Sequence, residues 1–174
     1  MNPSVKAFLL TLVVSAAFAP VAGSAAVITQ VIDSTAIAHC QSFTPGVTNT
    51  IRNRVIGSEN IGNPLAIACA FEVDSGAITQ DGVQSVTLFL NNHGTASFDV
   101  PCTLAVGPEG EFSYYISKTT TVAPGVPNYV QFTPEDAGST DPGFMDWLVG
   151  LTCTLPKNAI ITETLVSYSV DNGA

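Results

Sequence analysis

The side chains of this chain best placed to do chemistry are carboxylates. Between Thr133 and Trp147 lie Glu135, Asp136, Asp141 and Asp146, together with Trp147, the only tryptophan. Two acids flanking a groove are what glycoside hydrolysis requires. A hard cation such as calcium takes six to eight oxygens from carboxylates and loop carbonyls, which this stretch could also supply. The spacing does not follow the helix-loop-helix calcium pattern. The other reading is a polar connection between strands that tucks Phe144 and Trp147 onto a core. The sequence places a candidate ligand or cation loop at Glu135, Asp136, Asp141, Asp146 and Trp147, and names no catalytic residue.

Other combinations are poorer. His39 next to Cys40 has the composition of a thiolate-imidazole pair. Neighbours on an extended chain point to opposite faces, however, and three further cysteines compete for Cys40. Only His39 and His93 could serve a Ser-His-Asp triad, and no G-x-S-x-G surrounds a serine. Arg52 and Arg54, two apart on an extended segment, share a face. They suit a carboxylate-bearing ligand or a pairing with acidic neighbours, and the second is the expectation. Tyr114, Tyr115, Tyr129 and Tyr168 could form a sugar-stacking platform or serve in packing.

The setting is extracytoplasmic. Lys6, the apolar run Ala7 to Ala19 and the small residues Ala22 to Ala26 have the order of a signal peptide. Pro20 ends the run before it could span a bilayer. The expected organisation is a leader over 1–26 and a single domain over 27–174, secreted or periplasmic. Cys40, Cys69, Cys102 and Cys153 are even in number, widely spaced and without C-x-x-C, so two disulfides are expected rather than zinc. Beyond Lys6, Arg52, Arg54, Lys118 and Lys157 stand against 14 acids. Four scattered cations make no phosphate-binding surface, which argues against nucleic acid and anionic membranes. No cofactor is expected, calcium in the acidic loop being the one exception considered.

The elements that must position these residues are strands. From Leu65 to Asp74 the odd positions are Leu, Ile, Cys, Phe and Val, and the even ones are lighter or charged. Residues 96 to 106 repeat this in the opposite parity, with Val100 and Cys102 inward. Val86, Leu88 and Leu90 alternate with Ser85, Thr87 and Phe89. The segment Asn91 to Gly94 then reads as the turn of an antiparallel hairpin. Further strands are expected over 27–32, 50–56, 112–122, 129–133, 148–155 and 160–170, and a helical turn only over 141–147. About nine short strands between Pro/Gly turns predict an antiparallel β-sandwich, with a closed barrel as the competitor. Cys102 and Cys153 follow Val100 and Leu151 in the same alternation. This favours the pairs Cys102–Cys153 and Cys40–Cys69.

Cys40-Gln41, Cys69 in an inward-patterned strand, Val100-Pro101-Cys102-Thr103 and Leu151-Thr152-Cys153 together resemble small secreted bacterial proteins. That resemblance implies an extracytoplasmic β-sandwich and carries over no functional residue. Lacking a catalytic motif, the chain is read as a non-enzymatic protein acting through protein contacts, as a surface or filament subunit. The segment Val27 to Ile32 would then add to a neighbour's sheet or self-associate, the other and favoured reading being that it forms the first strand of the chain's own sandwich. The alternative is a calcium- or carbohydrate-binding module.

Overall fold

Strict alternation over most of the chain produces two layers facing one core. The computed structural model describes residues 27–43, 50–55, 57–73, 82–107, 113–140, 143–144 and 148–171. The expected leader, Asp141, Asp146 and Trp147 lie outside them. Sheet A contains β1 (Val27–Thr35), β3 (Ile51–Arg54), β4 (Gly57–Asn60), β6 (Val83–Asn92), β9 (Asn128–Phe132) and β11 (Ala159–Asp171). Sheet B contains β2 (Cys40–Ser42), β5 (Leu65–Glu72), β7 (Phe98–Val106), β8 (Tyr114–Val122) and β10 (Leu148–Leu155). The order is β3-β4-β11-β6-β9 in sheet A and β2-β5-β10-β7-β8 in sheet B, and all pairings are antiparallel. β1 joins β11 on the side where β4 also pairs, β4 at Ile160 and Ile161, β1 from Glu163 to Asp171. The layers form a β-sandwich and do not close into a barrel.

Leu88 and Leu90 of sheet A meet Leu104, Leu151 and Val100 of sheet B in the core, with Phe132 and Phe144 wholly buried. Phe144 is thus tucked inward from the acidic connection. Both disulfides take the favoured connectivity, Cys40–Cys69 and Cys102–Cys153, each between directly opposed residues of neighbouring strands.

The expected hairpin across Asn91 to Gly94 is not one. β6 and β7 lie in different sheets, so this segment is a corner of the sandwich. Its pivot is Asn92, which is buried, donates from Nδ2 to the carbonyls of Ala96 and Val122 at 2.9 Å each, and accepts the Gly94 N–H at 2.7 Å. A buried amide satisfied in this way holds the chain in the turn between layers. The segment 50–56 is likewise not one strand: β3 turns at Val55 and returns as β4. Gly57, at φ 149°, lies so close to β11 that a Cβ would sit 2.1 Å from the Ile161 carbonyl oxygen. Helix is confined, among the described residues, to α1 (Ala36–His39) and a 3₁₀ turn at Pro134–Ala137.

Candidate functional site on the outer face of sheet A

Directly opposed residues of a sheet share a face. Thr35, Glu163, Phe89 and Tyr129 therefore form one row across β1, β11, β6 and β9, and Asp33, Leu165, Thr87 and Gln131 form the next. The alternation with buried Leu88, Val130 and Thr164 places both rows on the outer face, where Tyr129 and Gln131 are exposed and Thr87 is covered. Three strand spacings give this face a width of about 14 Å. At its centre the Phe89 and Tyr129 rings lie 6.0 Å apart at 48°, and Tyr129 is 54% exposed.

An open hollow of about 510 Å³ lies on each side of this aromatic pair. The first is lined by Asp33, Thr35, Asn91, Thr162 and Glu163, with Val55 at its rim. Hydrogen bonding to Asp33, then burial, then the Asp33 charge raise the Glu163 pKa above its ordinary 4.5. Glycosidase acids stand about 5 Å or more apart, so this pair is not spaced for hydrolysis.

The second hollow follows the seam where the edges of β8 and β9 meet. Lys118 Nζ donates to the Gln131 carbonyl at 2.7 Å, Thr120 Oγ1 to the Tyr129 carbonyl at 3.2 Å, and Asn128 Nδ2 to the Thr121 carbonyl at 2.7 Å. Glu135 lines this groove with Tyr129 and Thr119. Its neighbour Asp136 is committed to structure: it accepts the Thr133 N–H at 2.7 Å and pairs with Lys118 at 2.6 Å. Burial raises its pKa, but the Lys118 and Thr133 hydrogen bonds and the Lys118 charge outweigh this and hold it below 3.8.

At the opposite end of the same face Arg52 and Arg54 both grip Glu59, as expected of a pairing with acidic neighbours. Glu59 Oε2 accepts from Arg52 Nε at 2.9 Å and Arg54 Nε at 2.8 Å, while Oε1 faces His93 Nδ1 at 3.6 Å. Burial pushes the Glu59 pKa up, and the two guanidiniums overcome it, leaving the carboxyl below 4.5. Ile160, in register with Glu59 and Asn91, is buried beside this cluster.

The structure scatters several residues that the sequence singled out. Cys40 is oxidised, and the His39 ring lies 6.5 Å from that of Phe71. Tyr115 lies on the outer face of sheet B, opposite Ala105, and Tyr168 is buried, so the four tyrosines make no common platform. Asp33 and Glu163 carried no local signal, being 130 residues apart. Phe89 had one, its place in the outward parity of β6. Among the described residues, no three His, Cys, Asp or Glu side chains are grouped to hold a metal, and no helix is long and apolar enough to cross a membrane.

No family model matches the chain, and no curated protein matches it. Among solved structures it is similar to TmCBM61 in complex with beta-1,4-galactotriose, at 9% identity and TM-score 0.36 over 82% of this chain and 88% of that one. It is also similar to a family 11 carbohydrate-binding module from Clostridium thermocellum in complex with a beta-1,3-1,4-mixed-linked tetrasaccharide. There the identity is 8% and the TM-score 0.39, over 86% and 88% of the two chains. An exo-beta-1,3-galactanase from Phanerochaete chrysosporium matches at 12% identity and TM-score 0.39, over 79% of this chain but only 29% of the galactanase.

Proposed function

We propose that the protein is a non-catalytic module that works outside the cytoplasm and binds a neutral glycan chain on the outer face of sheet A. The observation that carries this reading is the exposed Tyr129 ring, backed by Phe89 and set between two open hollows. A sugar ring offers an apolar face to such an aromatic and hydroxyls to the groups beside it. Asp33, Asn91 and Glu163 on one side and Gln131, Thr119 and Glu135 on the other supply both acceptors and amide donors. Neutral glycans suit the face better than polyanions, because carboxylates border it and the chain carries a formal net charge of −9. The two disulfides support an oxidising compartment.

Affinity electrophoresis through gels containing neutral plant or microbial polysaccharides tests the reading. Retardation by at least one of them is expected, and Tyr129→Ala should weaken it about tenfold, the loss of roughly 1.4 kcal/mol of stacking and burial. Thermal stability should stay within about 0.5 kcal/mol of wild type, since the ring is mostly in water. Migration unaffected by every polysaccharide, or a Tyr129→Ala protein retarded as strongly as wild type, would overturn the proposal.

A further inference from the structure

Among the described residues, sheets A and B have five edge strands, and four of them are protected. β2 has three residues, and β3 has four, with Arg52 and Arg54 among them. β8 and β9 face each other, and the carbonyls of Thr121, Tyr129 and Gln131 are taken by side chains across the seam. Short length, charge and cover are the ways a sheet edge is kept from pairing with another chain.

β1 has none of these. It runs for nine residues, contains no proline or lysine, and has Asp33 as its only charge. β11 pairs with every one of those residues along one side, and no described strand pairs with the other. Val27 and Val31 are 49% and 55% exposed on its outer face. An extended strand with one side paired leaves half its backbone N–H and C=O groups aimed outward.

We infer that this edge pairs with β1 of a second copy, antiparallel about a twofold axis at Val31, so that two A sheets become one. The sequence of β1 is compatible with itself in that register. Val31 meets Val31, Thr29 meets Asp33, and Val27 meets Thr35, so each pair stays on one face and the two Asp33 carboxylates are never opposed. A self-complementary strand closes a symmetric dimer and leaves no second edge to propagate. The outer faces of the two copies then lie side by side on a continuous sheet. Asp33 and Thr35, which line one hollow in each copy, stand next to the joint.

Sedimentation equilibrium of the purified protein tests this with no glycan present, so its result is independent of the binding proposal. Wild type is expected at twice the chain mass. Val31→Lys and Val31→Glu each set like charges directly opposite one another at the axis and should weaken the dimer on the order of tenfold. Because Val31 is half in water, both variants should stay folded and melt cooperatively. An equal mixture of the two should restore the dimer, since opposite charges then meet. A monomeric wild type at all concentrations, single variants that dimerise as tightly as wild type, or a mixture that dimerises no more tightly than either variant alone would each overturn the inference.

Discussion

Glu59 shows how one buried carboxylate organises a surface that the sequence leaves half described. The two-residue spacing of Arg52 and Arg54 was enough to put them on one face. Their partner was not legible, because the β3–β4 reversal that brings Glu59 opposite Arg52 depends on how closely Gly57 approaches β11. Losing either arginine leaves Glu59 paired with the other, so Arg52→Ala or Arg54→Ala alone should cost no more than about 1 kcal/mol. The double variant strands a buried charge and should cost about 3–5 kcal/mol in urea unfolding, well beyond the sum of the two. The dependence on pH has two limbs. Glu59 and Asp136, depressed below 4.5 and 3.8, contribute stability that is present above those values and lost as pH falls through the folded ones. Glu163, raised above 4.5 by Asp33, acts the other way: its contribution is complete below 4.5 and disappears as pH rises through the folded value. Urea midpoints taken from acid to neutral pH should therefore show Glu163→Gln flattening the limb above pH 4.5 and Glu59→Gln the limb below it.

At the scale of elements, alternation revealed which side of each strand faces the core but not which layer the strand belongs to. β6 and β7 both turn apolar rows inward around a polar turn. That pattern fits a hairpin and a corner between sheets equally well, and the buried Asn92 amide decides for the corner. Asp33 and Glu163 meet for the same reason: the sheet brings the first described strand beside the last, a long-range pairing with no local trace. The disulfides were easier to read, because inward parity at Cys102 and Cys153 nearly fixes a cross-strand pair. Both bonds lie in sheet B, joining β2 to β5 and β7 to β10, with β5 and β10 hydrogen-bonded between them. For sequence separations of 29 and 51, the chain-entropy model gives about 3.6 and about 4 kcal/mol. Cys102→Ala/Cys153→Ala should therefore lose slightly more stability than Cys40→Ala/Cys69→Ala. The excess should be larger than loop length alone requires, because the first pair is buried in the core and the variant leaves a cavity there. Denaturation of the two variants under one set of conditions ranks them, and a difference no larger than the roughly 0.5 kcal/mol of loop length would mean that burial adds nothing.

For the whole molecule, glycan recognition and strand pairing become one property if both proposals hold. Joining β1 to β1 sets two binding faces on one sheet, each about 14 Å wide, and their separation is fixed by strands rather than by a flexible linker. A polysaccharide long enough to reach both faces then binds the second at a high effective concentration, while a short oligosaccharide fills each face independently. Val31→Lys touches neither hollow, so it should leave oligosaccharide affinity unchanged. Retention on the corresponding polymer should fall by about 10²-fold or more, the usual scale of avidity. Calorimetry with the oligosaccharide and depletion onto the insoluble polymer measure the two affinities separately. Equal weakening of both would place Val31 in the glycan contact itself. Loss of dimer without loss of polymer retention would show that each face binds alone, and that the paired sheet serves some other purpose than reach.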